Sequence, residues 1–271
     1  MDINGISINW IFEPTILLGL ALWAAVYTVA VNQMRRRFHW GEPVPVVRQI
    51  AFHLGTISAV IALLSPLDTL SDTYLFSAHM TQHMLLMFVA APLWLLGIPG
   101  WLVCQWIPFP SIRNALYKLT RPAVAFLIFN GVMWLWHIPT VYDAALRNEP
   151  LHIAEHLLFI GAAFIGWWPV LGPSFDAKST ISPPLKVGYL VASMFACTAL
   201  AALITLAQRQ LFTFYGDASL TMGLQPLVDQ QIGGAVMWVP GDMIYMLLIG
   251  WVFYQWMQSF DQPIKQVSLK V

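Results

Sequence analysis

The sequence predicts an all-α integral membrane protein: one domain, residues 1–271, folded as a bundle of seven transmembrane helices with the N-terminus outside and the C-terminus in the cytoplasm. Three observations predict it: composition, seven long apolar runs, and the placement of the basic residues. Of the 271 residues 58% are apolar and 10% charged, where a soluble domain carries about 25% charged residues. Thirteen tryptophans and sixteen phenylalanines suit a chain with two bilayer interfaces, where aromatic rings collect. The formal net charge is zero, which gives no footing for nucleic acid as a partner. The two cysteines, Cys104 and Cys197, are too few for a disulfide scaffold and are not spaced as a thiolate metal motif. The Met1-Asp2 start lacks a basic region, so the first apolar run is expected to stay as a span and not to be cleaved as a leader.

A span needs about 20 mostly apolar residues. The first run is Trp10 to Val31 and the second Val46 to Leu64. The third, Tyr74 to Gly97, is expected to break near Ala91-Pro92 or at Gly97-Ile98-Pro99-Gly100, because proline removes a helix donor and clashes with the preceding turn. The fourth, Pro122 to His137, is short and needs residues from its flanks. The fifth is Leu151 to Leu171, the sixth Leu185 to Ala207 and the seventh Ile232 to Gln258. Proline and glycine gather between runs, as in Gly41-Glu42-Pro43-Val44-Pro45 and Ser182-Pro183-Pro184. No alternating pattern of strands competes.

With the N-terminus outside, the inner side holds Arg35, Arg36, Arg37, Arg48, Arg113, Lys118, Arg121, Lys178, Lys186, Lys265 and Lys270. Only Arg147 and Arg209 fall outside. The positive-inside rule selects this orientation, and losing one span would mix the two sets of loops. Most acids fall at the outer ends, giving a surface that attracts cations.

That topology gathers five of the seven histidines at one depth. His79 and His83 lie in the first turns of the third run, His137 closes the fourth, and His152 and His156 open the fifth. His79–His83 and His152–His156 are both spaced by four, which stacks two side chains on one helix face about 5–6 Å apart at Cβ. Two imidazoles at that spacing can hold one ion, and His137 is the obvious third donor. Imidazole suits copper and zinc. Met80, Met84, Met133 and Met237 lie nearby; thioether sulfur favours Cu(I), although packing is the plainer role for a methionine. Asp68, Asp72, Glu155 and Asp229 could orient ligand histidines through the other ring nitrogen, while helix capping accounts equally well for Asp68 and Asp72. His53 reads as a hydrogen-bonding residue near the inner face, and His39, beside the arginines, as a headgroup contact.

Several segments carry a family resemblance. Ser65-Pro66-Leu67-Asp68, Phe76-Ser77-Ala78-His79-Met80-Thr81-Gln82-His83, Ala91-Pro92-Leu93, the run from His137 to Leu146, Leu151 to His156, and Asp229 to Trp238 resemble the polytopic CtaG-type cytochrome c oxidase assembly family. The resemblance runs from about Arg48 to Trp251. It implies a multi-pass protein of the bacterial inner membrane that matures heme–copper oxidases at the step of copper supply, with His79, His83, His137, His152 and His156 as the motif histidines. The expected partners are then the bilayer, oxidase subunits and a periplasmic copper donor, with a homo-oligomer left open. Two rivals use the same residues. A zinc-dependent seven-helix intramembrane hydrolase would use a metal-bound water, with Glu155 or an aspartate as general base. A bis-histidine heme protein would clamp a porphyrin between helices, a task for which two histidines on one helix are poorly placed.

Overall fold

The computed structural model describes residues 10–174 and 181–268, together with a two-residue strand pair, Asp2–Ile3 with Ile6–Ser7, near the N-terminus. Lys178 and Lys270, counted among the inner basic residues, lie outside the described residues. The other regular elements among the described residues are helices. The long helices are α1 (Pro14–Phe38), α2 (Val46–Leu64), α4 (Phe76–Gly97), α9 (Glu149–Leu171), α10 (Pro183–Thr205) and α11 (Pro226–Ser268). Shorter ones fill the connections: α3 (Pro66–Thr73), α5 (Gly100–Trp106), α6 (Pro110–Leu119), α7 (Pro122–Trp136) and α8 (Pro139–Leu146). Among the described residues six helices are long and apolar enough to cross a membrane, or seven if α6 and α7 count together as one broken span. α7 has fifteen residues and rises only about 22 Å at 1.5 Å per residue, against a hydrocarbon core of about 30 Å. The flank that was to lengthen it bends away by 72°.

Proline sets most of the starts. Pro14, Pro66, Pro110, Pro122, Pro139 and Pro183 each open a helix, where the missing N–H costs nothing. Ser65 and Asn148 add side-chain caps, accepting from the N–H of Leu67 and Leu151. His39 ends α1 in the left-handed conformation at φ 54°.

The centre of the bundle is α4: 72% of its span is buried, against 17–44% in the other five. Two apolar clusters meet along it. One joins α4, α7, α9, α10 and α11, the other α1, α2, α4 and α5. The exposed side chains of the outer helices are large and apolar, among them Leu18, Leu22, Leu127, Phe195, Leu203 and Leu247, as a lipid-facing surface requires.

The expected break at Pro92 is absent, and the reason is local. α4 widens into a π turn over Leu85–Ala90, in which Ala91 N–H donates to Leu86 O, five residues back. The next donor in that register would be Pro92, which has none, so the carbonyl of Met87 is left over. Trp167 of α9 donates its Nε1–H to it at 2.8 Å. A buried carbonyl without a partner costs about 1–3 kcal/mol, and the tryptophan removes that cost. The helix therefore continues to Gly97 and breaks at the Pro99 step instead.

Both ends of α4 are held by other helices. Asp229 of α11 accepts from the N–H of Phe76 (2.7 Å) and of Ser77 (3.1 Å) and from the Ser77 hydroxyl (2.5 Å). At the other end Arg48 of α2 donates to Leu96 O and Ile98 O at 2.7 and 2.9 Å, and Tyr27 donates to Gly97 O at 3.0 Å. An anion sits at the N-terminus and a cation at the C-terminus, each complementing the helix dipole. Gly233 lets α11 approach: a Cβ there would run into the Phe76 ring. This fixes the height at which α4 presents its histidines.

Candidate metal site

The first turns of α4 and α9 face one another, and four histidines fill the space between them. Ring centroids are 4.1 Å apart for His79–His83, 4.4 Å for His152–His156, 5.5 Å for His79–His152, 6.2 Å for His79–His156 and 5.5 Å for His83–His156. The spacing of four does this directly, since it keeps both members of each pair on the facing side of their helix. Donor atoms of His79, His83 and His156 lie within 4.8 Å of one another, and so do those of Asp72, His79 and His152.

His137 stands at the edge. Its ring is 6.3 Å from His83, and it belongs to neither close set. Its Nδ1 lies 2.6 Å from Met133 O. A carbonyl can only accept, so Nδ1 carries the proton and Nε2 the lone pair. That Nε2 is buried and has no partner.

The other donors are equally unspent. Both ring nitrogens of His79 and His83, Nε2 of His152 and His156, and both oxygens of Glu155 are buried without a hydrogen-bond partner. Glu155 is fully buried, with Oε1 4.0 Å from His83 Nε2. Asp72 Oδ1 is 3.9 Å from His152 Nε2. Buried polar groups normally find partners, and a buried carboxylate among imidazoles is costly without a cation. The donors, imidazole nitrogens with carboxylate oxygens, are of the type that suits a copper or zinc ion.

A family model for the cytochrome c oxidase caa3 assembly factor matches residues 25–259. The chain belongs to that family. Among curated proteins, an uncharacterized protein of Mycobacterium leprae is 25% identical over 266 residues, and one of Mycobacterium bovis is 26% identical over 265. Each alignment covers 91% of this chain and 39% of the relative, so the chain spans about two fifths of the length of these relatives. No solved structure matches. The family match thus extends over most of the chain.

The remaining sequence candidates fall into two groups. Asp229 touches no histidine; it caps α4. Asp68 accepts from Gln82 Nε2 at 2.7 Å, and Gln82 also donates to Ala62 O at 2.9 Å. Burial, then the nearby Asp72, pushes the Asp68 carboxyl up to about 7 despite the Gln82 hydrogen bond; burial also raises Asp72, with His152 opposing. Met80 and Met84 turn toward Gly233 and Gly241 of α11, a different side of α4 from the histidines, and Met133 and Met237 lie in the apolar core.

Sequence reasoning passed over Gln82, Ser71, Tyr142 and Tyr215. The Ser71 hydroxyl lies 2.8–3.0 Å from Asp68 O, Asp72 Oδ1 and Gln82 Oε1. Tyr215 donates to Ser71 O at 2.5 Å, which leaves Tyr142 to donate to the Tyr215 hydroxyl at 3.1 Å. Tyr142 packs edge-on against His79 at 5.2 Å. These groups hold α3, and with it Asp72, against the cluster. Gln82 sits inside the His-x-x-x-His motif, which was its one available signal; the tyrosines come from distant segments that no local pattern joins.

Proposed function

We propose that this chain binds copper through the histidine cluster at the outer face of the bacterial inner membrane and delivers it to a heme–copper oxidase. The observation that carries the reading is the set of buried imidazole lone pairs from α4 and α9 converging without partners of their own. Family membership supports oxidase assembly as the purpose. The eleven-to-two distribution of basic residues supports N-out, C-in topology, which puts the cluster on the periplasmic side. His79, His83, His152 and His156 hold the ion. His137, with its lone pair on Nε2, stands next to His83 as a further donor, and Asp72 and Glu155 supply negative charge beside it. The Asp72 side chain, 39% exposed, gives a periplasmic copper donor and the oxidase's copper subunit a point of access to the cluster. The protein acts in this reading as a metal carrier and not as an enzyme.

The test is complementation. In a strain lacking the gene, wild-type protein restores oxidase activity and the copper content of the purified oxidase. His79→Ala, alone and combined with His83→Ala, expressed at equal level, should leave an oxidase that contains heme and lacks copper. Full copper loading of the oxidase by both variants would refute the proposal.

A further inference from the structure

The histidine cluster divides into two donor sets with one residue in common. Asp72, His79 and His152 form the first, and His79, His83 and His156 the second. The second lies one turn further along both helices: His79 to His83 and His152 to His156 are each four residues, about 6 Å of rise. The sets differ in exposure. Apart from the shared, fully buried His79, the Asp72 and His152 side chains of the first set are 39% and 14% exposed, while in the second His83 is only 4% exposed and His156 half-buried. They differ in chemistry too, one carboxylate oxygen and two imidazoles against three imidazoles. Glu155 stands beside the deeper set, 4.0 Å from His83.

A neutral imidazole has one lone pair, so His79 ligates one ion at a time. The two sets are therefore alternative positions for a single ion. Resting on the copper-binding reading above, we propose that the cluster is a two-station relay: copper is received and released at Asp72, His79 and His152, and held at His79, His83 and His156, passing between them without leaving His79. In the inward step the bonds to Asp72 oxygen and His152 nitrogen break, and bonds to His83 and His156 nitrogens form. The oxidation state of the ion does not change and no proton is transferred. The outer station has, in Asp72, the exposed ligand that exchange needs; the inner one replaces it with the buried His83.

The test uses full-length protein in detergent with cupric ion as the probe. Bound copper is measured after desalting, loading by stopped flow, and removal by challenge with EDTA. Wild type should bind one equivalent and release it slowly. His83→Ala should still bind one equivalent, now at the outer station, and release it at least tenfold faster. His152→Ala should bind as tightly as wild type but load at least tenfold more slowly. His79→Ala should retain under a tenth of an equivalent, and His53→Ala, which packs against Tyr27 and Phe52 away from the cluster, should behave as wild type. Should an alanine variant not survive purification, His83→Asn and His152→Asn repeat the comparison. Two equivalents in wild type, or equal effects of the His83 and His152 changes on affinity and exchange, would overturn the relay while leaving copper binding intact. Wild type that retains no more copper than His79→Ala would overturn both.

Discussion

Replacing Asp229 by alanine removes the acceptor for two backbone N–H groups and one hydroxyl at the start of α4, in a place where the aspartate is only 2% exposed. Hydrogen bonds to a charged group are worth about 1.5–3 kcal/mol, and losing a helix cap costs about 1, up to ~2 kcal/mol. These figures describe the same contacts and are not added. Interhelical hydrogen bonds within membranes average about 0.6 kcal/mol each, so three give about 2. The expected cost is therefore about 2–3 kcal/mol, a roughly 30- to 140-fold shift in the folded population at 1.4 kcal/mol per tenfold. Unfolding in mixed micelles followed by circular dichroism measures it. Asp229→Asn keeps one acceptor oxygen and should lose about half as much. Because His79 lies in the first turn of α4, Asp229→Ala should also weaken copper retention although it touches no histidine. Stability within about 0.5 kcal/mol of wild type together with unchanged copper retention would refute this account of how the cluster is positioned.

Three further outcomes are expected. Asp68, whose carboxyl is pushed up to about 7, binds its proton more tightly in the folded state than in the unfolded one. Its contribution is present in full below the ordinary aspartate range and is lost as pH rises through about 7. The thermal midpoint of wild type should then fall between pH 5 and 8, and Asp68→Asn should flatten that slope; an unchanged slope would contradict the assignment. Trp167→Phe leaves Met87 O without its donor beside Pro92 and should cost about 1–3 kcal/mol by the same micelle assay; a neutral result would mean that the π turn satisfies itself. A reporter fused after Val271 should be active only on the cytoplasmic side, and periplasmic activity would reverse the orientation.

Much of this was legible in the sequence, because hydropathy reports spans directly and a spacing of four reports a shared helix face. The His79–His83 and His152–His156 pairs fall together as their spacing predicts. What local pattern could not report was tertiary. Pro92 predicts a break until Trp167, eighty residues from Met87 in sequence, supplies a donor to the Met87 carbonyl. Asp229 looked like an acid aimed at a histidine; its carboxylate spends itself on the N–H groups of another helix, which only the approach allowed by Gly233 makes possible. The methionines next to the histidines in sequence lie about 100° around the helix from them, and so face α11. His137 reaches the same depth as the other histidines, yet its bond to Met133 O holds it at the margin of the cluster.

Copper K-edge absorption of protein carrying one equivalent of cupric ion tests the central claim most directly. Imidazole ligation predicts a shell of three or four nitrogen or oxygen scatterers at about 2.0 Å, with the outer-ring signature of histidine, lost in His79→Ala. A dominant sulfur shell at about 2.3 Å, from Met80, Met84 or Cys197, would contradict it, as would a spectrum that His79→Ala leaves unchanged.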